Sequence, residues 1–202
     1  VVTQEDISNA PRSNSDDRRG LAGAIPLYHI AAAAAREGKS LDEVADIAQK
    51  YADSMATIAV AARCATHPAT GAEFGDLGDV DMEIGMGQHG EGGGGRQPMK
   101  TAKETIEIMA NALVKDIPLQ AGDRAFVMIN GSGATTLMEM FILYKDCVHY
   151  LEGLGIEVVA NMVGEILTVQ EQAGFQLNIA KWDEEFLRLW NTPAHTPAFF
   201  KE

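Results

Sequence analysis

Apolar residues along this 202-residue chain recur at helical spacing in some stretches and alternate, or run on, in others. Residues 4–19 are polar and irregular and read as a loop. Residues 20–37 (GLAGAIPLYHIAAAAARE) are rich in alanine and predict a buried helix with Pro26 in its first turns, ended by Gly38. Ser40 then caps a second helix, with Glu43 at the capping-box position and Leu41, Val44, Ala45, Ile47 and Ala48 at helical spacing. Residues 57–64 (TIAVAARC) predict a strand, and 65–79 a turn-rich loop. In 80–86, Val80, Met82, Ile84 and Met86 alternate with Asp81 and Glu83, which predicts a half-buried strand. A glycine-rich loop covers 87–98. Ile106, Met109, Ala110, Leu113 and Ile117 form one face of a helix over 100–117. Residues 124–130 (RAFVMIN) are almost continuously apolar, as a central strand requires. After the tight turn Gly131-Ser132-Gly133 come a helix over 135–152, a strand over 156–163, an ambiguous stretch over 164–174 and a strand over 175–181. Asp183 caps a short helix, Glu184–Trp190, before a proline-rich tail.

From residue 57 the order is roughly β-β-α-β-α-β-(α)-β-α, with a helical lead-in before it. That order predicts an α/β fold, a two-layer mixed β-sheet domain with helices. The expected division is 1–38 as lead-in and 39–202 as the α/β domain.

Composition narrows the class. Hydrophobic residues at 46% and charged residues at 22% fit a globular chain long enough to bury a core without staples. Asp and Glu number 29 against 16 Lys and Arg, a formal charge of −13. Such a surface repels phosphate backbones and anionic lipid, so neither nucleic acid nor membrane is an expected partner. Two cysteines, Cys64 and Cys147, make no disulfide framework and no zinc spacing, so no metal is expected and a reducing, cytoplasmic compartment is. No apolar run is long enough to cross a membrane. The chain opens Val1-Val2 without Met, the mark of a processed, trimmed or partial chain.

Three segments could carry chemistry. In Gly85-Met86-Gly87-Gln88-His89-Gly90-Glu91-Gly92-Gly93-Gly94-Gly95, a His and a Glu stand two apart among glycines. Glycine lets backbone approach a small ligand closely, and a neutral imidazole can act as nucleophile, base or ligand. A surface loop with an incidental histidine has the same composition. Asn130-Gly131-Ser132-Gly133-Ala134-Thr135-Thr136 places a glycine turn before a helix. It lacks the lysine of a phosphate-binding loop and the third glycine of a dinucleotide fingerprint, so a tight βα turn explains it as well. In Cys64-Ala65-Thr66-His67-Pro68, a buried cysteine followed by a turn is the simpler reading than a nucleophile pair.

Taken together, these segments resemble the dihydroxyacetone-binding subunit of dihydroxyacetone kinases. Residues 82–91 (MEIGMGQHGE) resemble the family's MEfGmGiHGEpG segment, and 130–139 (NGSGATTLME) its NnlGaTplsE turn. Residues 183–197 (DEEFLRLWNTPAHTP) are similar to its DdetlaLwdaPvhTP stretch. Cys64 and Pro68 fall at its CtvP, and Arg18-Arg19-Gly20 at its gRRG. These five landmarks keep the family's order over nearly the whole chain.

The resemblance implies that His89 attacks the ketone carbon of a short ketose and holds it as a hemiaminal. Gly87, Gly90 and Glu91 would line the same site, and Gly131, Ser132 and Gly133 are candidate loop contacts. A carbonyl-directed bond would exclude glycerol, which hydrogen bonds alone separate poorly from dihydroxyacetone. It needs a neutral imidazole, so binding should weaken below a pH of about 6.5 if the histidine is unperturbed. Glu91 would orient the imidazole or cap the loop. No cofactor is implied on this chain. The phosphoryl donor would be an ADP- or ATP-bearing partner subunit, and a homo- or hetero-oligomer is expected.

The sequence also departs from the family. The family's GEPG appears here as Glu91-Gly92-Gly93-Gly94-Gly95, His67 replaces a valine, and Ser132 stands where the turn has leucine. A related ketose such as erythrulose is therefore a candidate substrate. The family's GGGSGHEP and TGD motifs, which supply its acid and base, occur nowhere in residues 1–202. Residues 1–38 would then be the remnant of the family's first domain, and catalysis would need a partner carrying the N-terminal half. A non-catalytic ketose-binding or regulatory module is the alternative.

Overall fold

The computed structural model describes residues 1–87, 91–93, 95–197 and 199–202. Six strands form one mixed sheet in the order β3-β2-β1-β6-β4-β5: β1 is Met55–Arg63, β2 Asp81–Ile84, β3 Gly95–Pro98, β4 Arg124–Gly131, β5 Glu157–Gly164 and β6 Ala173–Trp182. All neighbours are antiparallel except β4 and β5, which run parallel through the crossover helix α4 (Leu137–Gly153). The other main helices are α1 (Ala24–Arg36), α2 (Leu41–Ser54), α3 (Ala102–Asp116) and α5 (Glu184–Trp190).

Local sequence sets the helix ends. Ser40 with Glu43, Thr101 with Glu104 and Thr136 with Glu139 each complete a capping box, so α2, α3 and α4 start with their orphan N–H groups satisfied. Asp183 caps α5 through the Phe186 N–H at 2.9 Å.

The mixed-sheet α/β class is as the pattern predicts, but helices cover both faces, giving three layers rather than two. The cause is visible in β4. Ala125, Val127 and Ile129 pack with Ile106, Met109 and Leu113 of α3 and Leu143 and Cys147 of α4. Phe126 and Met128 point the other way, into Leu27 and Ile30 of α1, Tyr51 of α2 and Phe186 of α5. A strand apolar on both faces needs cover on both. On the second face Phe126 stacks on Trp182, ring centroids 4.7 Å apart.

Three other expectations change. The glycine-rich stretch contains β3, paired antiparallel with β2. Residues 165–172 form no helix; they are a loop held by the Asn130 side chain of β4. The tail carries a two-stranded hairpin, β7 (Ala194–His195) with β8 (Phe200–Lys201).

The polar segment before α1 is anchored rather than loose. The Thr57 N–H donates to the Glu5 carbonyl (2.8 Å) and the Ile7 N–H to the Thr57 carbonyl (3.1 Å), so residues 5–7 lie along β1. Arg12 and the buried Arg18 converge on Asp116 at the end of α3, at 2.8 and 2.6 Å.

Candidate functional site

The stems of the His-Gly-Glu loop are built by close backbone crossing. β2 ends at Ile84, and Gly85, with a φ of +94°, turns the chain out of the sheet. A Cβ on Gly93 would lie 2.1 Å from the Gly85 carbonyl oxygen, so only glycine allows the return strand this close. The Gly93 N–H donates to Glu83 Oε1 (2.7 Å), and the Gly87 N–H donates to the Glu91 carbonyl (2.7 Å), closing the loop's base. Gly87 is buried and Glu91 is exposed. His89 and Gly90, predicted to hold the substrate, lie outside the described residues.

Arg19 joins this base to the N-terminal segment. Its Nε donates to Asp6 Oδ2 (2.9 Å), and its Nη2 donates to Ser8 Oγ and to the Gly85 carbonyl, each at 2.9 Å. Asp6 is buried and its other oxygen accepts the Ser8 N–H (2.9 Å) and hydroxyl (2.6 Å). Arg19 Nη1 and Glu91 Oε2 both occupy the space where a Cβ of Gly87 would stand, 2.4 and 2.3 Å from it.

The second glycine turn meets the first at the same end of the sheet. Buried Asn130, near the end of β4, holds the 165–172 loop. Its Nδ2 donates to the Leu167 carbonyl (2.7 Å), and its Oδ1 accepts from the Ile166 and Leu167 N–H groups at 3.1 and 2.9 Å. Gly131 and Ser132 are buried and Gly133 is exposed with a φ of +133°. The Ser132 N–H donates to the Gly174 carbonyl (3.0 Å), and the Ser132 carbonyl accepts the Val169 N–H (2.7 Å). Gln172, also buried, donates from Nε2 to Met86 Sδ at 3.0 Å. That contact links the 131–135 turn to the residue just before Gly87.

Charge at this end is acidic. Glu165 packs over Gly131, where its Oε1 stands 2.4 Å from the position a Cβ would take. Burial raises its carboxyl above the usual range, against the opposing pull of the Gly133 and Thr135 backbone hydrogen bonds. Glu171 accepts the Thr66 N–H at 3.0 Å, and hydrogen bonding from the Thr66 side chain above all holds its carboxyl below the usual range. Beside the turn, a cleft of about 240 Å³ is lined by Val60, Met82, Thr135, Leu143 and Phe175 among others. Its wall is mainly apolar and offers few partners to a hydroxylated three-carbon molecule.

The other sequence candidates are structural. Cys64 is buried, and burial pushes its thiol above the ordinary value. His67 Nδ1 accepts the Ala69 N–H (3.2 Å), and its ring rests 5.5 Å from that of Phe74. His29 is buried with Nε2 3.0 Å from the Trp190 carbonyl. Sequence reasoning assigned no role to Arg19, Asn130 or Gln172. The first sits in a segment read as loop, and the others act through tertiary contacts that no local spacing reveals. Among the described residues no helix is long and apolar enough to cross a membrane.

Residues 1–198 match the Dak1 domain family. The chain belongs to the Dak1 family, the one its five landmarks resemble. It is 32% identical over 199 residues to the PTS-dependent dihydroxyacetone kinase 2, dihydroxyacetone-binding subunit DhaK of Listeria innocua, covering 98% of this chain and 60% of that protein. It is 34% identical over 205 residues to the L-erythrulose kinase of Pectobacterium atrosepticum, covering 100% of this chain and 35% of that protein. Among solved structures, the dihydroxyacetone kinase operon co-activator Dha-DhaQ superposes with a TM-score of 0.88 at 28% identity, over 96% of this chain and 60% of that one. The chain thus spans about three-fifths of the length of the DhaK relative.

Proposed function

We propose that this chain is the ketose-holding part of a dihydroxyacetone-type kinase. The observation that carries the reading is the Gly87-Gln88-His89-Gly90-Glu91 segment in a chain that matches the Dak1 family along almost its whole length. His89 adds to the substrate's C2 carbonyl. A ring nitrogen forms the new C–N bond, the carbonyl oxygen becomes a hydroxyl, and the imidazole gives up one proton in the process. The hemiaminal selects ketones over glycerol and fixes the terminal hydroxyl for phosphorylation. A nucleotide-bearing partner subunit supplies the phosphoryl group, and a partner carrying the family's N-terminal motifs supplies the acid and base. Dihydroxyacetone and erythrulose are the substrates to try first, since the kinases this chain is similar to are named for both.

A specific observation favours a second reading. A structure with a high TM-score is titled a co-activator of an operon, not a kinase. Under that reading the chain binds ketose and regulates without phosphorylating. Reconstitution separates the two. The chain is combined with an N-terminal portion of the Listeria relative and a nucleotide-bearing subunit, and ketose phosphate is assayed. Phosphorylation that disappears in His89→Ala supports the kinase. Ketose binding with no turnover supports the regulator.

A further inference from the structure

From the contacts around Gly85 and Gly87, we infer that Arg19 is a positioning residue that sets the base of the 87–91 loop; its bearing on ketose binding rests on the function proposed above. All the partners of its guanidinium converge on one place. Nε grips the buried Asp6 carboxylate, and Nη2 holds both Ser8 Oγ and the Gly85 carbonyl. Nη1 stands over Gly87 at the point Glu91 Oε2 also reaches. One planar cation therefore ties the N-terminal segment to the outgoing stem of the loop. It holds that stem at the Gly85 carbonyl and stands over Gly87.

The arrangement uses what only arginine offers. Its rigid fork directs several N–H donors at once, and charge-assisted hydrogen bonds are the stronger ones. Lysine has a single ammonium on a flexible stem and cannot span Asp6, Ser8 and the Gly85 carbonyl together. Arg19 is itself held in place, because Asp6 and Ser8 are hydrogen-bonded to each other. The glycines that permit the crossing supply no side chains to stiffen it. Arg19 is the substitute.

The test is amide hydrogen exchange with a parallel ketose titration on the wild type, Arg19→Lys, Arg19→Gln and Ser8→Ala. Ser8→Ala removes one contact and keeps the inference testable if the arginine variants do not fold. The expected result is exchange at least tenfold faster in residues 84–95, with the central strands unchanged and no rescue by lysine. Dihydroxyacetone affinity should fall about tenfold or more in the same variants. Exchange unchanged in 84–95, or accelerated equally across the sheet, would overturn the inference. If the wild type binds no ketose even with an N-terminal portion of a DhaK relative present, the proposed function fails, and the exchange pattern still decides the role of Arg19 at the loop base.

Discussion

Glu5 is a carboxylate almost wholly removed from water. Oε1 accepts the Leu21 N–H at 2.7 Å, ahead of α1, while Oε2 has no hydrogen-bond partner. Burial is the dominant influence and pushes its carboxyl up to about 7, against the backbone donors that favour the charge. The folded state therefore binds this proton more tightly than the unfolded chain does. The stabilisation is complete below the unfolded value and is lost as pH rises through about 7. At about 1.4 kcal/mol per unit, the effect amounts to a few kcal/mol at most. His29 acts in the opposite sense, since burial lowers its value and its neutral form is the folded one. The clean measurement is thus the difference between wild type and Glu5→Gln in urea unfolding at pH 5 and pH 8. Glu5→Gln should gain stability relative to wild type as pH rises. A difference independent of pH would refute the account of Glu5.

The elements divide into those fixed by their own residues and those fixed by distant ones. The Ser40–Glu43 capping box makes α2 legible from sequence alone, and Thr101 with Glu104 and Thr136 with Glu139, also three residues apart, start α3 and α4 in the same way. β3 is not legible: its strand partner, not its composition, defines it, and glycine there serves closeness rather than disorder. Gly93→Ala should accordingly weaken the β2–β3 hairpin, since its Cβ would meet the Gly85 backbone. Exchange rates across 81–98 would show it, and unchanged rates would contradict the crossing described. The 165–172 loop is equally hidden, because one buried asparagine on another element holds it. Removing those bonds by Asn130→Ala should cost about 1–3 kcal/mol in chemical denaturation. A loss within a few tenths of a kcal/mol would mean the loop is held otherwise.

At the scale of the molecule, the N-terminal segment is what sequence periodicity describes least well. Residues 4–19 have no apolar rhythm, yet they lie along β1, tie to α3 through Asp116 and reach the loop base through Arg19. Burial alone would raise the Asp116 carboxyl, but Arg18 hydrogen bonds and the charges of Arg12 and Arg18 outweigh it and hold it below the usual range. That stabilisation is present above the unfolded carboxylate value and lost as pH falls through the folded one. Asp116→Ala leaves the Arg18 charge buried without its partner and should cost about 3–5 kcal/mol. Global unfolding measures it, and a cost under 1 kcal/mol would show that the segment docks by other means. The site follows the same division. The His-Gly-Glu segment is legible because the residues proposed to carry the chemistry are adjacent in sequence. Its supports, Arg19, Gln172 and Asn130, come from three separate parts of the chain and emerge only when the sheet gathers them.

The most direct test of the central claim is calorimetric titration of dihydroxyacetone into this chain, co-expressed with an N-terminal portion of a DhaK relative. His89→Ala and glycerol serve as controls. The account predicts binding by the wild type, none by His89→Ala, none of glycerol, and weakening as pH falls below about 6.5. Equal binding by His89→Ala, or of glycerol by the wild type, would contradict a covalent hold on the ketone.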